Sequence, residues 1–203
     1  MTSASASSSL DSNANPVFAD IRSRRLDLIA ITPQSLRIQQ RIEEMGGAQM
    51  KTELGASIGA TVPDQWPPEN WEPHVFDYLL RLFAENPESI GWCRYLALRA
   101  SDGDSQGRTL IGTFGCGLPK PESGEAEIGY GVLPDWQGRG LAAEAVEAML
   151  PWLRTQRKIE AFVAQTFPDL YGSIRVLEKC GFEFGGAGFE EGAILYRKLV
   201  VSA

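Results

Sequence analysis

The segment Pro134-Asp-Trp-Gln-Gly-Arg-Gly-Leu-Ala-Ala-Glu-Ala-Val146 places Gly138 and Gly140 directly ahead of a run of strong helix formers. The first turn of a helix carries backbone N–H groups without intrahelical partners and a partial positive charge. Glycines at that mouth let an anionic group such as a pyrophosphate reach the bare main chain. The charges along the helix agree, with Glu144 and Glu147 early and Arg154, Arg157 and Lys158 late, the order the helix dipole favours. Just upstream, the strand-like Glu125-Ala-Glu-Ile-Gly-Tyr-Gly-Val132 has two unlike faces. Ala126, Ile128, Tyr130 and Val132 suit a core, whereas Glu125, Glu127, Gly129 and Gly131 make a face that is half acidic and half bare. Such a face fits an extended ligand lying along the backbone with a carboxylate at one end, although strand glycines also mark bulges or close packing.

The stretch Gly138-Arg-Gly-Leu-Ala-Ala143 also matches the dinucleotide pattern G-x-G-x-x-A. In that fingerprint the first glycine follows its strand almost at once and an acidic residue ends the next strand about 20 positions on. Here Pro134-Asp-Trp-Gln137 intervenes, the acidic residue is missing, and too little chain remains for the rest of a doubly wound sheet. A nicotinamide-dependent oxidoreductase is therefore the weaker reading.

The bulk composition bounds the rest. With 203 residues, 43% hydrophobic and 22% charged, the chain fits one globular domain with a real core. No apolar run approaches the roughly 18 residues of a membrane span, so no membrane partner is expected. A net charge of −7 argues against nucleic-acid binding, which needs a basic face, and weakly favours cationic partners. Cys93, Cys116 and Cys180 form no paired spacing, and with a single histidine, His74, there is no metal-ligand set to assemble, a pattern that fits a reducing cytoplasm. The Ser/Ala-rich start lacks the charged and apolar regions of a secretory signal. It reads as a flexible tail over 1–20, leaving 21–203 as a single domain.

The elements that must position the glycines and carboxylates follow from periodicity. A strand over 25–31 leads to an amphipathic helix over 33–45 that stops at Gly46-Gly47, and a second helix covers 74–86. Between them, 46–73 reads as a long Pro/Trp loop. Strands over 91–100 and 108–118, joined by the turn 101–107, precede the strand 125–133. A helix over 141–157, loosened or kinked at Pro151, a strand over 159–166, a helix over 172–180 and strands over 182–188 and 193–200 complete the pattern. This is an α/β (α+β) fold with a central mixed sheet of about six or seven strands flanked by about four main helices, antiparallel first and with a parallel crossover later.

Gln137-Gly138-Arg139-Gly140-Leu141-Ala142, preceded by Val132-Leu133-Pro134, resembles the Q/R-x-x-G-x-G/A acetyl-CoA signature of the GNAT superfamily of N-acetyltransferases. Glu127-Ile-Gly-Tyr130, Glu144-Ala145 and Ser173-Ile-Arg-Val-Leu-Glu-Lys-Cys-Gly-Phe182 resemble its Rim-type, ribosomal-protein N-terminal acetyltransferase branch, as does the opening Arg25-Leu-Asp-Leu28. The resemblance implies backbone contacts from Tyr130, Gly131 and Val132 to the pantetheine arm. It assigns the pyrophosphate to the segment from Gln137 through Gly138, Arg139, Gly140, Leu141 and Ala142 to Ala143. Transfer of the acetyl group from acetyl-CoA to a primary amine, on a protein N-terminus or a small molecule, would follow, by a monomer or homodimer and without a metal.

An alkyl ammonium must lose a proton to attack a thioester. With one histidine, the candidates for base are carboxylates: Glu127 first, Glu125 in reserve near the acceptor, either of which could instead be a solvated strand-edge charge. Relatives often carry a tyrosine where this chain has Leu177 and an asparagine where it has Leu170. Ser173 remains as a hydroxyl for the leaving thiolate, or as a helix cap. Trp66 and Trp71 either line the acceptor pocket or anchor their loop. His74 and Cys116 read as a surface residue and a small buried one. The two leucines motivate an alternative, a catalytically weakened acyl-CoA-binding or sensing domain.

Overall fold

A computed structural model describes residues 19–68, 71–100 and 107–200. Nearly all of the expected tail and residues 101–106 of the expected hairpin turn lie outside the described residues. One mixed sheet contains β1 (Ile21–Arg22), β2 (Leu26–Ala30), β3 (Arg94–Arg99), β4 (Arg108–Cys116), β5 (Glu125–Val132), β6 (Ala161–Thr166), β7 (Glu183–Ala187) and β8 (Ile194–Leu199), in the order β1-β2-β3-β4-β5-β6-β8-β7. The count of eight exceeds the six or seven expected because β1, two residues long, is too short to show a period. All pairings are antiparallel except β5 with β6, which is the parallel crossover expected from the sequence.

Helices cover both faces. On one, α5 (Leu141–Gln156) and α6 (Tyr171–Lys179) enclose Leu28, Leu96, Phe114, Ile128 and Phe162. On the other, α1 (Pro33–Gln40), α3 (Gly47–Ile58) and α4 (Pro73–Glu85) enclose Ile29, Ile31, Tyr95, Ala97 and Leu110. α5 runs through Pro151 without a break to Gln156, and the adjoining Trp152 ring takes the buried Arg94 guanidinium 4.8 Å from its centroid.

Two expectations are corrected. The helix expected over 33–45 divides at Arg41 into α1 and the single turn α2 (Ile42–Met45), capped by Gly46 at φ 79°. The expected loop 46–73 begins with α3, whose Met50, Leu54 and Ile58 point one apolar stripe into the core. Its glycines serve close approach and capping. A Cβ on Gly55 would lie 2.8 Å from the Ala60 carbonyl oxygen, and Gly59 ends the helix in the left-handed region at φ 63°.

Two details set the position of β5. Leu96 faces Gly112 while Ala97 faces Leu110, so Ile111 is an extra residue that bulges β4. Beyond the bulge a Cβ on Gly112 would sit 2.1 Å from the Gly131 carbonyl oxygen, so only glycine lets the two strands approach so closely. At the sheet's other end, the buried Asp27 carboxylate meets the guanidinium groups of Arg99, Arg22 and Arg108. Burial alone would raise that carboxyl, but the hydrogen bond and charge of Arg99, with help from Arg22 and Arg108, hold it below its usual range.

Candidate active site

The strands β5 and β6 run together for three residue pairs and then part. Glu125, Ala126 and Glu127 face Ala161, Phe162 and Val163, whereas from Ile128 to Val132 β5 pairs with β4 alone. Gly117 N–H donates to the Glu127 carbonyl and Leu133 N–H to the Ile111 carbonyl, both at 2.8 Å. Odd residues of β5 therefore turn their main-chain groups toward β4, and beyond the last pairing with β6 the C=O of Ile128 and the N–H and C=O of Tyr130 and Val132 face the gap. The Val132 carbonyl accepts from Gln137 Nε2 at 2.8 Å. On the odd face nothing lies within 4 Å of where a Cβ on Gly129 or Gly131 would be. The result is an open cleft along which the Ile128 C=O, the Tyr130 N–H and C=O and the Val132 N–H have no strand partner, with a bare strip beside it.

The cleft runs toward the mouth of α5. Gly138 and Gly140 both adopt the left-handed region, at φ 71° and 72°, and Gly140 is the N-cap with no side-chain cap. The N–H groups of Leu141, Ala142 and Ala143 thus open the helix without intrahelical partners, while Glu144 N–H already bonds to the Gly140 carbonyl. Arg139 donates back to the Asp135 carbonyl at 2.8 Å. A Cβ on Gly140 would lie 3.7 Å from Lys179 Nζ and 3.9 Å from an Arg25 guanidinium nitrogen. A cavity of about 480 Å³ beside it is lined by Arg22, Arg24, Arg25, Lys179 and Glu144 among others, a local basic excess in an acidic chain. Glu144 fastens this corner by accepting from Ser23 Oγ at 2.8 Å, Arg25 N–H at 2.6 Å and Arg25 Nε at 2.7 Å. Burial pushes its carboxyl up, but the Arg25 backbone and guanidinium bonds and the Ser23 hydroxyl hold it below the usual range.

At the cleft's other end Glu127 is the last β5 residue paired with β6. Its Oε1 accepts from Gln165 Nε2 at 2.8 Å. Glu125 Oε1 accepts from Arg197 Nε at 2.8 Å. On the opposite side of the strand the Tyr130 hydroxyl lies 3.1 Å from the Ser173 carbonyl oxygen and 3.2 Å from Ser173 Oγ. Burial outweighs the Ser173 bond and pushes the Tyr130 phenol up to about 12, so it remains a proton carrier at neutral pH. Ser173 occupies the first turn of α6, whose N-cap is Leu170 and has no side-chain cap bond. Leu177 is wholly buried and Leu170 is half exposed.

Trp66 is 2% exposed and packs edge-on against Tyr95 with ring centroids 5.8 Å apart. Its indole N–H and that of Trp71 both donate to Gln39 Oε1, at 2.9 and 3.0 Å, so both rings anchor their loop to α1. Gln39 Nε2 donates to the Tyr95 hydroxyl and the Ser35 carbonyl, which uses all four of its hydrogen-bonding positions. His74 is exposed beside Glu72, and the buried Cys116 thiol is raised well above its usual range by burial and the nearby Cys93. Gln165 and Arg197 escape sequence reading. Gln165 has one visible signal, its place near the carboxyl end of a parallel strand, where α/β sheets gather ligands.

A parted parallel seam thus leads into an uncapped, glycine-rich helix mouth in a mixed α/β sheet protein. Residues 52–183 match the model of the Acetyltransferase (GNAT) domain, and the chain belongs to that family. It is 32% identical over 77 residues to an uncharacterized N-acetyltransferase of Bacillus licheniformis, over 38% of this chain and 43% of that relative, less than half of the relative's length. The fold matches an acetyltransferase from Agrobacterium tumefaciens with TM-score 0.57 at 20% identity, covering 93% of this chain and 98% of that one. It also matches a RimL ribosomal-protein α-N-acetyltransferase in complex with coenzyme A, with TM-score 0.55 at 17% identity over 89% and 98% of the two chains. A microcin self-immunity acetyltransferase, MccE, in complex with acetyl-CoA and AMP matches with TM-score 0.54 at 14% identity over 87% and 93%. Among the described residues no helix is long and apolar enough to cross a membrane.

Proposed function

We propose that the protein is an acetyl-CoA-dependent N-acetyltransferase acting on a primary amine, either a protein N-terminus or a small amine. The observation that supports this most directly is the main-chain edge from the Ile128 C=O through Tyr130 to the Val132 N–H, which has no strand partner and runs into the bare N-terminus of α5. The pantetheine arm would add to that edge as a strand would, through amide hydrogen bonds, and the pyrophosphate would sit on the N–H groups between Gly138 and Ala143. Arg25 and Lys179 stand beside that point, which explains how a chain of net charge −7 accommodates an anionic cosubstrate.

In the reaction the amine nitrogen bonds to the acetyl carbon and the carbon–sulfur bond breaks, its electron pair going to sulfur. One ammonium proton goes to Glu127, directly or through water, before attack. The second leaves the nitrogen of the tetrahedral intermediate and reaches the departing sulfur as the carbon–sulfur bond breaks. It is relayed by the Ser173 hydroxyl, which gives one proton as it takes another and which Tyr130 holds, so that coenzyme A leaves as the thiol. Glu125, tied to Arg197, would stand beside the acceptor, while Trp66 and Trp71 serve as anchors of their loop. Three free, buried cysteines accord with a cytoplasmic location.

The test is thiol release from acetyl-CoA against peptides beginning Ala, Ser or Met, polyamines and aminoglycosides. Turnover with any of these supports the reading. Binding of acetyl-CoA without release across the panel favours a weakened acyl-CoA sensor, the reading that the apolar Leu170 and Leu177 suggest.

A further inference from the structure

We propose that Gln165 is a positioning residue: it orients the Glu127 carboxylate and couples it to the β7–β8 turn on the acceptor side. The proposal rests on Glu127 being the base.

Hydrogen-bond bookkeeping fixes the orientation of the Gln165 amide. Its Oε1 accepts from two backbone donors, the N–H of Phe189 and that of Glu190, the latter at 3.2 Å. An amide turned the other way would set its own N–H groups against those two donors, so the NH₂ must face Glu127. It does, donating to Oε1 at 2.8 Å. One oxygen of the carboxylate is thereby pinned, and Oε2 is left to meet an incoming ammonium.

The turn is shaped for this contact. A Cβ on Gly188 would lie 2.8 Å from Gln165 Oε1 and 2.8 Å from Ala193 Cβ, so only glycine lets the chain pass this close. Gly188 N–H closes the turn on the Ala193 carbonyl at 2.8 Å. Phe189, 59% exposed, lies under Lys120 Nζ at 4.1 Å, which joins the turn to the β4–β5 connection. The bond to Gln165 therefore links the orientation of Glu127 to the position of an exposed turn.

Three variants, assayed by thiol release over a range of pH, test this. Gln165→Glu keeps an acceptor for the turn but replaces the donor by a like charge beside Glu127. The acid limb of kcat/KM should then move up by about one pH unit or more. Gln165→Leu should lower kcat about ten- to hundredfold while the acetyl-CoA Kd, read by calorimetry, stays within about twofold. Gly188→Ala, which pushes the turn off Gln165 without altering that residue, should reproduce part of the loss in kcat. The unaltered acetyl-CoA Kd reports that each variant is folded; should Gln165→Leu fail to fold, the pH shift of Gln165→Glu decides. If Gln165→Glu leaves the acid limb in place although Glu127→Gln is impaired, Gln165 has no positioning role and Glu127 keeps its assignment. If Glu127→Gln itself retains the native pH profile, the base is elsewhere and the role of Gln165 falls with it.

Discussion

Replacing Glu127 by Gln isolates proton removal from the rest of the site. The amide oxygen of the new side chain can still accept from Gln165 Nε2, so the contact seen at 2.8 Å survives and the fold should be unchanged. What disappears is the capacity to take a proton, a contribution of typically about 10²–10⁴ in rate, or about 3–5 kcal/mol of barrier. The loss must shrink with pH, because a neutral amine needs no base. For an alkyl amine with pKa near 10, only about one molecule in a thousand is neutral at pH 7, and the fraction rises tenfold per pH unit. The native-to-variant ratio of kcat/KM should therefore be about 10²–10³ at pH 7 and approach one near pH 10. With a peptide α-amine of pKa near 8, about a tenth is neutral at pH 7, so the ratio there should be only about ten. The same titration thus separates the two acceptor classes. Thiol release followed from pH 6.5 to 10, with the acetyl-CoA Kd measured alongside, provides the assay. A ratio that does not change with pH, or a variant as fast as the native enzyme at pH 7, would refute the assignment.

Gly131→Val fills a position with nothing within 4 Å and suits a strand, so it should leave the melting temperature within a few degrees while abolishing most turnover. Retained turnover would mean that the bare face of β5 holds no ligand. Gln39→Leu removes the partner of two indole N–H groups, one of them on the nearly inaccessible Trp66, and should cost about 2–4 kcal/mol in urea unfolding. Because Asp27 and Glu144 both have folded-state pKa values below their unfolded ones, their stabilisation is present above the unfolded carboxyl range and lost as pH falls through the folded values. Urea midpoints should therefore drop on acidification below about pH 4, and less steeply in Asp27→Asn.

Wherever the local pattern and the long-range packing point the same way, the sequence is readable. The alternation of Glu125–Val132, the glycines before Leu141 and the single parallel crossover all reappear in the fold. α3 is obscured because Gly47, Gly55 and Gly59 look like punctuation, whereas Gly55 is dictated by the chain folding back at Ala60, a backbone approach that residue types alone do not reveal. The stripe Met50, Leu54, Ile58 was the one available signal, and its spacing of four is short of a full amphipathic pattern. Trp66 and Trp71 could be recognised as either lining or anchor, and the deciding partner, Gln39, lies 27 residues away in sequence from the nearer of them. Gln165 is hidden for the same reason: its meaning comes from a turn 24 residues later. Glu125 is recognisable as a strand carboxylate, but its partner Arg197 is 72 residues away.

The three-pair ladder between β5 and β6 has a thermodynamic consequence. It is the seam at which β6, β7, β8 and α6 join the rest of the sheet, so amides along it should exchange with deuterium sooner than those of the five- and six-pair ladders on either side. A molecule lodged in the gap would act as a missing rung between two partly independent halves. Its binding energy would then appear as slower exchange on both of them at once, and as a rise in unfolding temperature that follows its concentration.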